Sequence, residues 1–248
     1  MTYCCGILVN EGLVMIADTR TNAGLDNVST FRKLNVFEKP GRHVMMIASA
    51  GNLSVTQSVL NLINEGFANP ETGLVERLEE MASLFDAALL IGRAVRKVRQ
   101  LHDTTFQQAS IAFEVSFLFG GQIAGRRLRL FMIYAAGNFI ECTQDAPFLQ
   151  IGEHKYGKPI LDRAIDYDMD IDDALKIGLI SMDSTIKSNL GVGLPIDVAV
   201  VRRDRQKLAV AARIGSNDAY FNNLRESWSQ ALRDAHIAIP RPPYGRPA

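Results

Sequence analysis

The sequence has no long apolar run: no segment reaches the ~18 residues that a membrane-spanning helix needs. Neither charge is in excess, since Lys plus Arg and Asp plus Glu number 27 each among 248 residues. A basic stripe interleaved with aromatic residues, as in many nucleic-acid-binding proteins, is also missing. So is a secretory signal. These absences predict a cytoplasmic protein whose partners include neither membrane nor nucleic acid.

Cysteine and histidine are scarce, at three and four residues. The cysteines are Cys4, Cys5 and Cys142, an odd number without a Cys-x-x-Cys pair, which is typical of a reducing compartment. The histidines lack the spacing of zinc ligands, and no glycine-rich phosphate loop is found. The sequence therefore predicts no metal and no cofactor.

The remaining pattern is that of one large globular domain, with 47% hydrophobic residues and no internal linker. Two-residue alternation predicts strands at Tyr3–Val9, Leu13–Ala17, Leu34–Phe37, His43–Ala50, Ser110–Gly120, Arg127–Tyr134, Asn138–Thr143, Phe148–Gly152, Ile196–Arg202 and Lys207–Arg213. Helical periodicity predicts helices at Asn52–Glu65, Leu74–Gln100, Lys158–Asp166 and Asp172–Ser188. Antiparallel strands in two groups with helix pairs between them predict two stacked sheets covered by helices on both outer faces.

Residues 217–248 read as an addition to the domain at 1–216. A helix is predicted at Asp218–Asp234, followed by a tail with Pro240, Pro242, Pro243 and Pro247. Such a tail forms neither a helix nor a central strand, so it is either loose or laid on a neighbouring subunit. Leu224, Trp228 and Leu232 share one helix face, which packs on the body or on a partner.

Thr2 directly follows Met1 and has two chemical functions if Met1 is removed. Its hydroxyl is a nucleophile, and its free α-amine is a base on the same residue. A threonine hydroxyl is almost never ionised near pH 7, so attack on an amide needs such a base. The reference pKa of the α-amine is about 7.7–8.0, which leaves a useful neutral fraction. A nearby lysine ammonium would lower this pKa further.

Two charged residues are predicted to lie near Thr2. The turn at Asn10–Gly12 folds the first two strands into a hairpin, which returns Asp18 to the end where Thr2 begins. Lys33 opens a later strand and reaches the same corner, and a carboxylate beside it keeps the lysine charged. Taken singly, each residue has a plainer interpretation, in which Thr2 is a small second residue and Asp18 and Lys33 form a surface ion pair.

Cys4 offers a second candidate nucleophile. Removal of residues 1–3 would make it an N-terminal thiol of the amidotransferase or acylase type. Asp18 and Lys33 match a start at Thr2 better, so the sequence favours Thr2.

Several segments combine into a family signature, and their order matters more than any one of them. They are Thr2, Ile16–Gly24, Ser29–Lys33, Ala48–Gly51, Phe119–Leu130, Gly137–Asn138 and Ile151–Gly157. In this order they resemble the β-type subunits of proteasomes and, more closely, the bacterial proteasome-related proteins called Anbu (ancestral β subunit). The resemblance implies an α+β fold, the four-layer αββα sandwich of N-terminal nucleophile hydrolases, and self-assembly into a closed ring or an open spiral.

The resemblance also implies four catalytic roles. Thr2 would be the nucleophile, Lys33 the charge that activates it, and Asp18 the partner that orients Lys33. Gly51 would donate its backbone N–H to the oxyanion, a role suited to a glycine at a turn that enters a helix. The plainer interpretation of Gly51 is an ordinary glycine at a helix entry.

Two positions depart from the proteasome pattern. Glu153 stands where proteasome subunits have a serine, and Asn189 and Val192 stand where they have an Asp-x-x-Ser pair. Asp183, Ser184 and Ser188 are nearby substitutes if the helix is shifted. Whether Glu153 or any of these assists proton transfer stays open.

The predicted function is a threonine endopeptidase that acts on peptides or unfolded proteins as a homo-oligomer. A regulator is left open, because ATP-driven unfolding would need another protein to hydrolyse the ATP. The alternatives are a catalytically weak scaffold subunit of the same fold and an acylase acting on a small amide.

Overall fold

Two antiparallel sheets form the centre of the protein in the computed structural model, which describes residues 1–22, 28–108 and 112–244. Sheet one has the spatial order Phe148–Gly152 (β12), Tyr3–Val9 (β1), Gly12–Asp18 (β2), Ile196–Arg202 (β13) and Val210–Ile214 (β14). Sheet two has the order Phe139–Glu141 (β11), Arg129–Ile133 (β10), Val115–Ile123 (β9), His43–Gly51 (β6) and Leu34–Lys39 (β5). Two short ribbons pair Arg20–Asn22 (β3) with Val28–Thr30 (β4), and Phe67–Ala68 (β7) with Val75–Glu76 (β8).

Helices cover the outer face of each sheet. Sheet two lies under Leu53–Glu65 (α1) and Leu84–Gln108 (α2). Sheet one lies under Lys158–Ala164 (α3) and Ile171–Ser188 (α4), and Ala219–Ala238 (α5) packs on α4. The predicted α+β fold with four αββα layers is therefore confirmed. None of the described helices is long and apolar enough to cross a membrane.

The strands of sheet one are buried on both faces. Every residue of β1 and β2 is buried, since one face meets sheet two and the other meets the helices. Cys4 therefore packs between the sheets, and Cys5 packs under the helices. The prediction that these two cysteines point to opposite faces is correct.

The predicted helix at Leu74–Gln100 is wrong in its first ten residues. Val75 and Glu76 pair with β7, and α2 begins only after Ser83. The Ser83 hydroxyl accepts the N–H of Asp86 at 3.1 Å and donates to its carboxylate at 2.7 Å. This is a helix cap, and it ends the apolar stripe that seemed to continue to Leu74, which is 69% exposed.

Other element ends differ by a few residues. The strand predicted from Ser110 begins at Val115, and Ser110 itself lies outside the described residues, as does Pro247 of the tail. The strand predicted from Lys207 begins at Val210, and α5 extends beyond Asp234 to Ala238. Asp170 caps α4, as its acidic start indicates, by accepting the N–H groups of Asp172 and Asp173.

His43 gives the fold a dependence on pH. Its side chain is 2% exposed, and its Nε2 lies 3.7 Å from the Glu79 carboxylate. Burial lowers the pKa of His43, against the opposing charge of Glu79. A group with a lowered folded-state pKa stabilises the fold above its unfolded pKa of about 6.5, and this stability is lost as the pH falls through the folded value.

We therefore expect the melting temperature to fall less between about pH 7 and pH 5.5 in His43→Gln than in the parent protein. Thermal unfolding at several pH values measures the difference. The variant His236→Gln, which changes an exposed histidine near the end of α5, serves as the control and should follow the parent. Equal pH dependence of His43→Gln and the parent would contradict the prediction.

Candidate active site

The β1–β2 hairpin brings Thr2 and Asp18 to the same end of sheet one. Cys4 pairs with Ala17, so the strand start and the strand end are adjacent. The N–H of Tyr3 donates to Asp18 Oδ1 at 3.0 Å, which ties the residue after Thr2 to the carboxylate. Thr2 is 9% exposed.

Lys33 and Asp18 form a buried ion pair. Lys33 Nζ lies 2.7 Å from Asp18 Oδ1 and donates to the carbonyl of Arg20 at 2.6 Å. The Lys33 side chain is 6% exposed and that of Asp18 is fully buried. The second carboxylate oxygen accepts the N–H of Gly193 at 3.4 Å. The ammonium is thus fixed in one position by two acceptors.

The Asp18 carboxyl is subject to opposing influences. Burial raises its pKa above the ordinary value, whereas the charge of Lys33 and the hydrogen bonds from Lys33, Tyr3 and Gly193 act to lower it. These donors are what compensates the loss of water around a buried carboxylate. Asp18 therefore depends on Lys33 as much as Lys33 depends on Asp18.

Thr2, Lys33 and Gly51 line one cleft of about 1100 Å³. Its walls include Phe31, Ser49 and Leu53 on one side and Tyr134, Gly152 and Glu153 on the other. Asp18 lies behind Lys33 rather than in the wall. The structure thus brings together all four residues that the sequence singled out.

Gly51 is the last residue of β6 and has a φ of 109°. A Cβ at this position would lie 2.2 Å from the carbonyl oxygen of Glu114, so only glycine fits. The next residue, Asn52, caps α1 by accepting the N–H of Ser54 at 2.9 Å. The backbone alone therefore requires this glycine, and its position at the positive end of α1 suits an oxyanion donor as well.

The residues that depart from the proteasome pattern separate into two groups. Glu153 lines the cleft, and Asn189 donates to its carboxylate at 3.3 Å. Val192 is buried in the core of sheet one. Asp183 pairs with Arg225 of α5 at 2.5 Å and does not line the cleft. Ser184 and Ser188 do not line it either.

Cys4 has the environment of a structural thiol. Its Sγ lies 3.8 Å from the carbonyl oxygen of Ser49, inside the interface between the sheets. Burial raises the pKa of this thiol well above its usual value. A nucleophilic cysteine needs the opposite shift, so the geometry favours Thr2 over Cys4.

Sequence reasoning missed contacts that main-chain atoms provide. The Arg20 carbonyl holds Lys33, and the Glu153 N–H donates to the Thr2 carbonyl at 2.7 Å. It also missed the anchor of Tyr3, whose hydroxyl lies 2.6 Å from Ser181 Oγ of α4. No residue pattern marks a backbone carbonyl or N–H, although a tyrosine in an otherwise aliphatic strand is a signal for the last contact.

Comparisons with known proteins agree with this geometry. The family model described as proteasome subunit matches residues 74–201, about half of the chain. An Anbu (Gly-1) mutant from Hyphomicrobium sp. strain MC1 has 46% identity over 97% of this chain and 99% of its own, with a TM-score of 0.88. Anbu from Yersinia bercovieri has 43% identity over 98% and 100% of the two chains, with a TM-score of 0.88.

A third solved structure is described as the helical assembly of the Anbu complex from Pseudomonas aeruginosa. It has 42% identity over 99% of this chain and 100% of its own, with a TM-score of 0.89. A search of curated protein sequences finds no match. Matches at this identity over nearly the whole of both chains establish the family: this chain belongs to the Anbu, or ancestral β-subunit, proteins of the proteasome type.

Proposed function

We propose that this protein is a threonine-type peptidase whose nucleophile is Thr2. The observation that supports this most directly is the buried Lys33–Asp18 pair in the same cleft as Thr2. A lysine and an aspartate removed from water are costly to a fold, and such pairs are strongest evidence for function where they border a cleft. The substrate class that we propose is a peptide or an unfolded protein.

The chemistry begins once Met1 is gone. Thr2 Oγ1 attacks the substrate carbonyl while the α-amine takes the hydroxyl proton, and the Gly51 N–H binds the oxyanion. Collapse of this intermediate breaks the C–N bond, and the proton on the amine passes to the departing nitrogen. Water then attacks the ester, which releases the acid and restores the Thr2 hydroxyl. The Lys33 ammonium favours the neutral amine and the alkoxide throughout.

Met1 blocks this chemistry for as long as it is present, because the nitrogen of Thr2 is then an amide. Met1 is 67% exposed, whereas Thr2 is 9% exposed. An aminopeptidase therefore reaches the bond to be cut without unfolding the hairpin. The mature enzyme in this proposal starts at Thr2.

We further propose a homo-oligomer, on the strength of the helical assembly described for the Pseudomonas aeruginosa relative. Residues 217–248 are the part of this chain that we assign to the subunit contact. Phe221 and Leu224 of α5 are buried against the body, whereas Leu232 and Ile237 farther along the helix are 52% and 78% exposed. Cytoplasmic location and a separate regulator remain parts of the proposal.

A second candidate function is a scaffold subunit with weak catalysis. It is favoured by Val192 and Asn189, which place an apolar side chain and an amide where proteasome subunits have a serine and an aspartate. Hydrolysis would then be slow even with Thr2, Lys33 and Asp18 in place.

The test is covalent labelling of the protein that starts at Thr2 with a β-lactone, which acylates N-terminal threonine. Intact mass should show one adduct, peptide mapping should place it on Thr2, and Thr2→Ala should abolish it. Ser29→Ala is the matched control, because Ser29 also places a hydroxyl in the cleft wall and should keep the adduct. Labelling that survives in Thr2→Ala would refute the proposal, and absence of both labelling and peptide hydrolysis would favour the scaffold.

A further inference from the structure

The side chain of Met1 rests on a small polar surface that the mechanism above does not use. This surface, the Met1 platform, consists of Glu153, Asn189 and Gly191. Asn189 Nδ2 lies 3.5 Å from the Met1 sulfur, and a Cβ on Gly191 would lie 2.9 Å from Met1 Cβ. The platform thus borders the bond between Met1 and Thr2.

The Asn189 amide has a defined orientation. Asn189 follows the last residue of α4 and is 8% exposed, and its Oδ1 accepts the N–H of Gly191 at 2.9 Å. Its Nδ2 therefore faces the platform, where it donates to Glu153 Oε2 at 3.3 Å. A thioether is a weak acceptor, so the methionine sulfur is a poor match for a surface made of an amide and a carboxylate.

Glu153 is also tied to Thr2 through the main chain. Its N–H donates to the Thr2 carbonyl at 2.7 Å. The preceding residue, Gly152, has a φ of 80°, and a Cβ on it would lie 2.0 Å from the same carbonyl oxygen. Glu153 and Thr2 therefore hold a fixed relation, and the carboxylate stays on the platform side of the N-terminus.

We propose that the Met1 platform is the binding site for the amino group that removal of Met1 leaves on Thr2. Glu153 accepts from this ammonium, directly or through one bridging water, and Asn189 acts as a positioning residue that orients the carboxylate. The proposal rests on the proposed function only in requiring a chain that starts at Thr2. It adds a specific consequence, namely that the base of the reaction is held in its charged form at neutral pH.

The charges around this amine act in opposite directions. Lys33 lowers the amine pKa, but Asp18 at 2.7 Å balances most of that effect. Glu153 has no cation paired with it among the described residues and raises the amine pKa. His154 and Glu114 complete the set of titratable groups, one on the same turn as Glu153 and the other across the cleft, and both are exposed.

The experiment titrates the amine without relying on catalysis. The protein that starts at Thr2 is released from an N-terminal fusion, and the rate of Thr2 α-acetylation by acetic anhydride is measured against pH by mass spectrometry. Glu153→Gln should lower the apparent pKa of the amine by about 0.5–1 unit, which raises the acetylation rate at neutral pH about 3- to 10-fold. Asn189→Asp, which adds a negative charge at the same surface and keeps the acceptor for Gly191, should shift the pKa upward.

Glu114→Gln is the matched control, since it removes a carboxylate from the opposite wall of the same cleft. It should leave the amine pKa unchanged. The proposal is overturned if Glu153→Gln leaves the pKa unchanged, or if Glu114→Gln shifts it as much as Glu153→Gln does, because the cleft as a whole would then set the pKa. Melting temperatures of all three variants show that each one is folded.

Hydrolysis gives a separate outcome. If the protein cleaves peptides, the acid limb of kcat/KM should move to lower pH in Glu153→Gln. If it cleaves none, the amine titration still decides the role of Glu153, so failure of this proposal and failure of the proposed function are distinguishable.

Discussion

Replacement of Lys33 by methionine is expected to abolish labelling of Thr2 by a β-lactone and to lower the free energy of unfolding by about 3–5 kcal/mol. The stability loss follows from burial: the Asp18 side chain is fully buried, and Lys33 is its only side-chain donor among the described residues. Methionine fills nearly the same volume, so the change removes the charge without opening a cavity. Denaturant unfolding and the labelling rate are the two measurements.

The pH dependence of this variant has a definite sign. Without the ammonium, the pKa of Asp18 rises further above its unfolded value, so the folded state binds a proton that the unfolded state has lost. The stability penalty should therefore be largest at neutral pH and shrink as the pH falls through the folded-state value. Lys33→Met with Asp18→Asn should recover part of the loss, because no buried charge is then left without a partner.

An exposed ion pair serves as the control for Lys33→Met. Lys158 and Asp162 form an i,i+4 pair on α3, and both side chains are about half exposed. Lys158→Met should cost about 0.3–0.5 kcal/mol at most and leave labelling intact. Equal costs for Lys33→Met and Lys158→Met would show that the buried pair does not stabilise the fold.

The sequence predicted the layers of this fold because its inner strands are buried on both faces. Continuous apolar runs such as β1 and β2 left no ambiguity about which segments form the sheets. Prediction failed at Leu74–Ser83, where an apolar stripe continued into a segment that pairs with β7 instead. The capping residues Ser83 and Asp86 were the local signal, and the longer periodicity outweighed it.

The candidate site was predictable to the extent that it depends on the β1–β2 hairpin. The turn at residues 10–12 places Asp18 beside the start of β1, and this follows from strand lengths alone. The contacts of Arg20 and Glu153 were not predictable, because they use main-chain atoms. The Met1 platform also needed the three-dimensional structure, since residues 153 and 189 lie on different elements.

Replacement of Gly152 by alanine is the second change with a large expected effect. A Cβ at this position would lie 2.0 Å from the carbonyl oxygen of Thr2 and 2.8 Å from its carbonyl carbon. Either the end of β12 or the N-terminal residue must move, and the Glu153 hydrogen bond to Thr2 is then strained or lost. A displacement near 1 Å costs a reaction about 100-fold, so the rate of Thr2 acylation should fall by at least about that factor.

Gly41→Ala separates this displacement from the general cost of a side chain at positive φ. Gly41 has a φ of 76°, close to the 80° of Gly152, but a Cβ there would meet nothing within 4 Å. Both variants therefore share a backbone strain of about 1–2 kcal/mol, and only Gly152→Ala moves the nucleophile. Thermal unfolding together with the second-order rate of β-lactone labelling measures the two effects. If Gly152→Ala is acylated as fast as Gly41→Ala, the position of Thr2 is set elsewhere than at the end of β12, and the assigned geometry of the nucleophile is wrong.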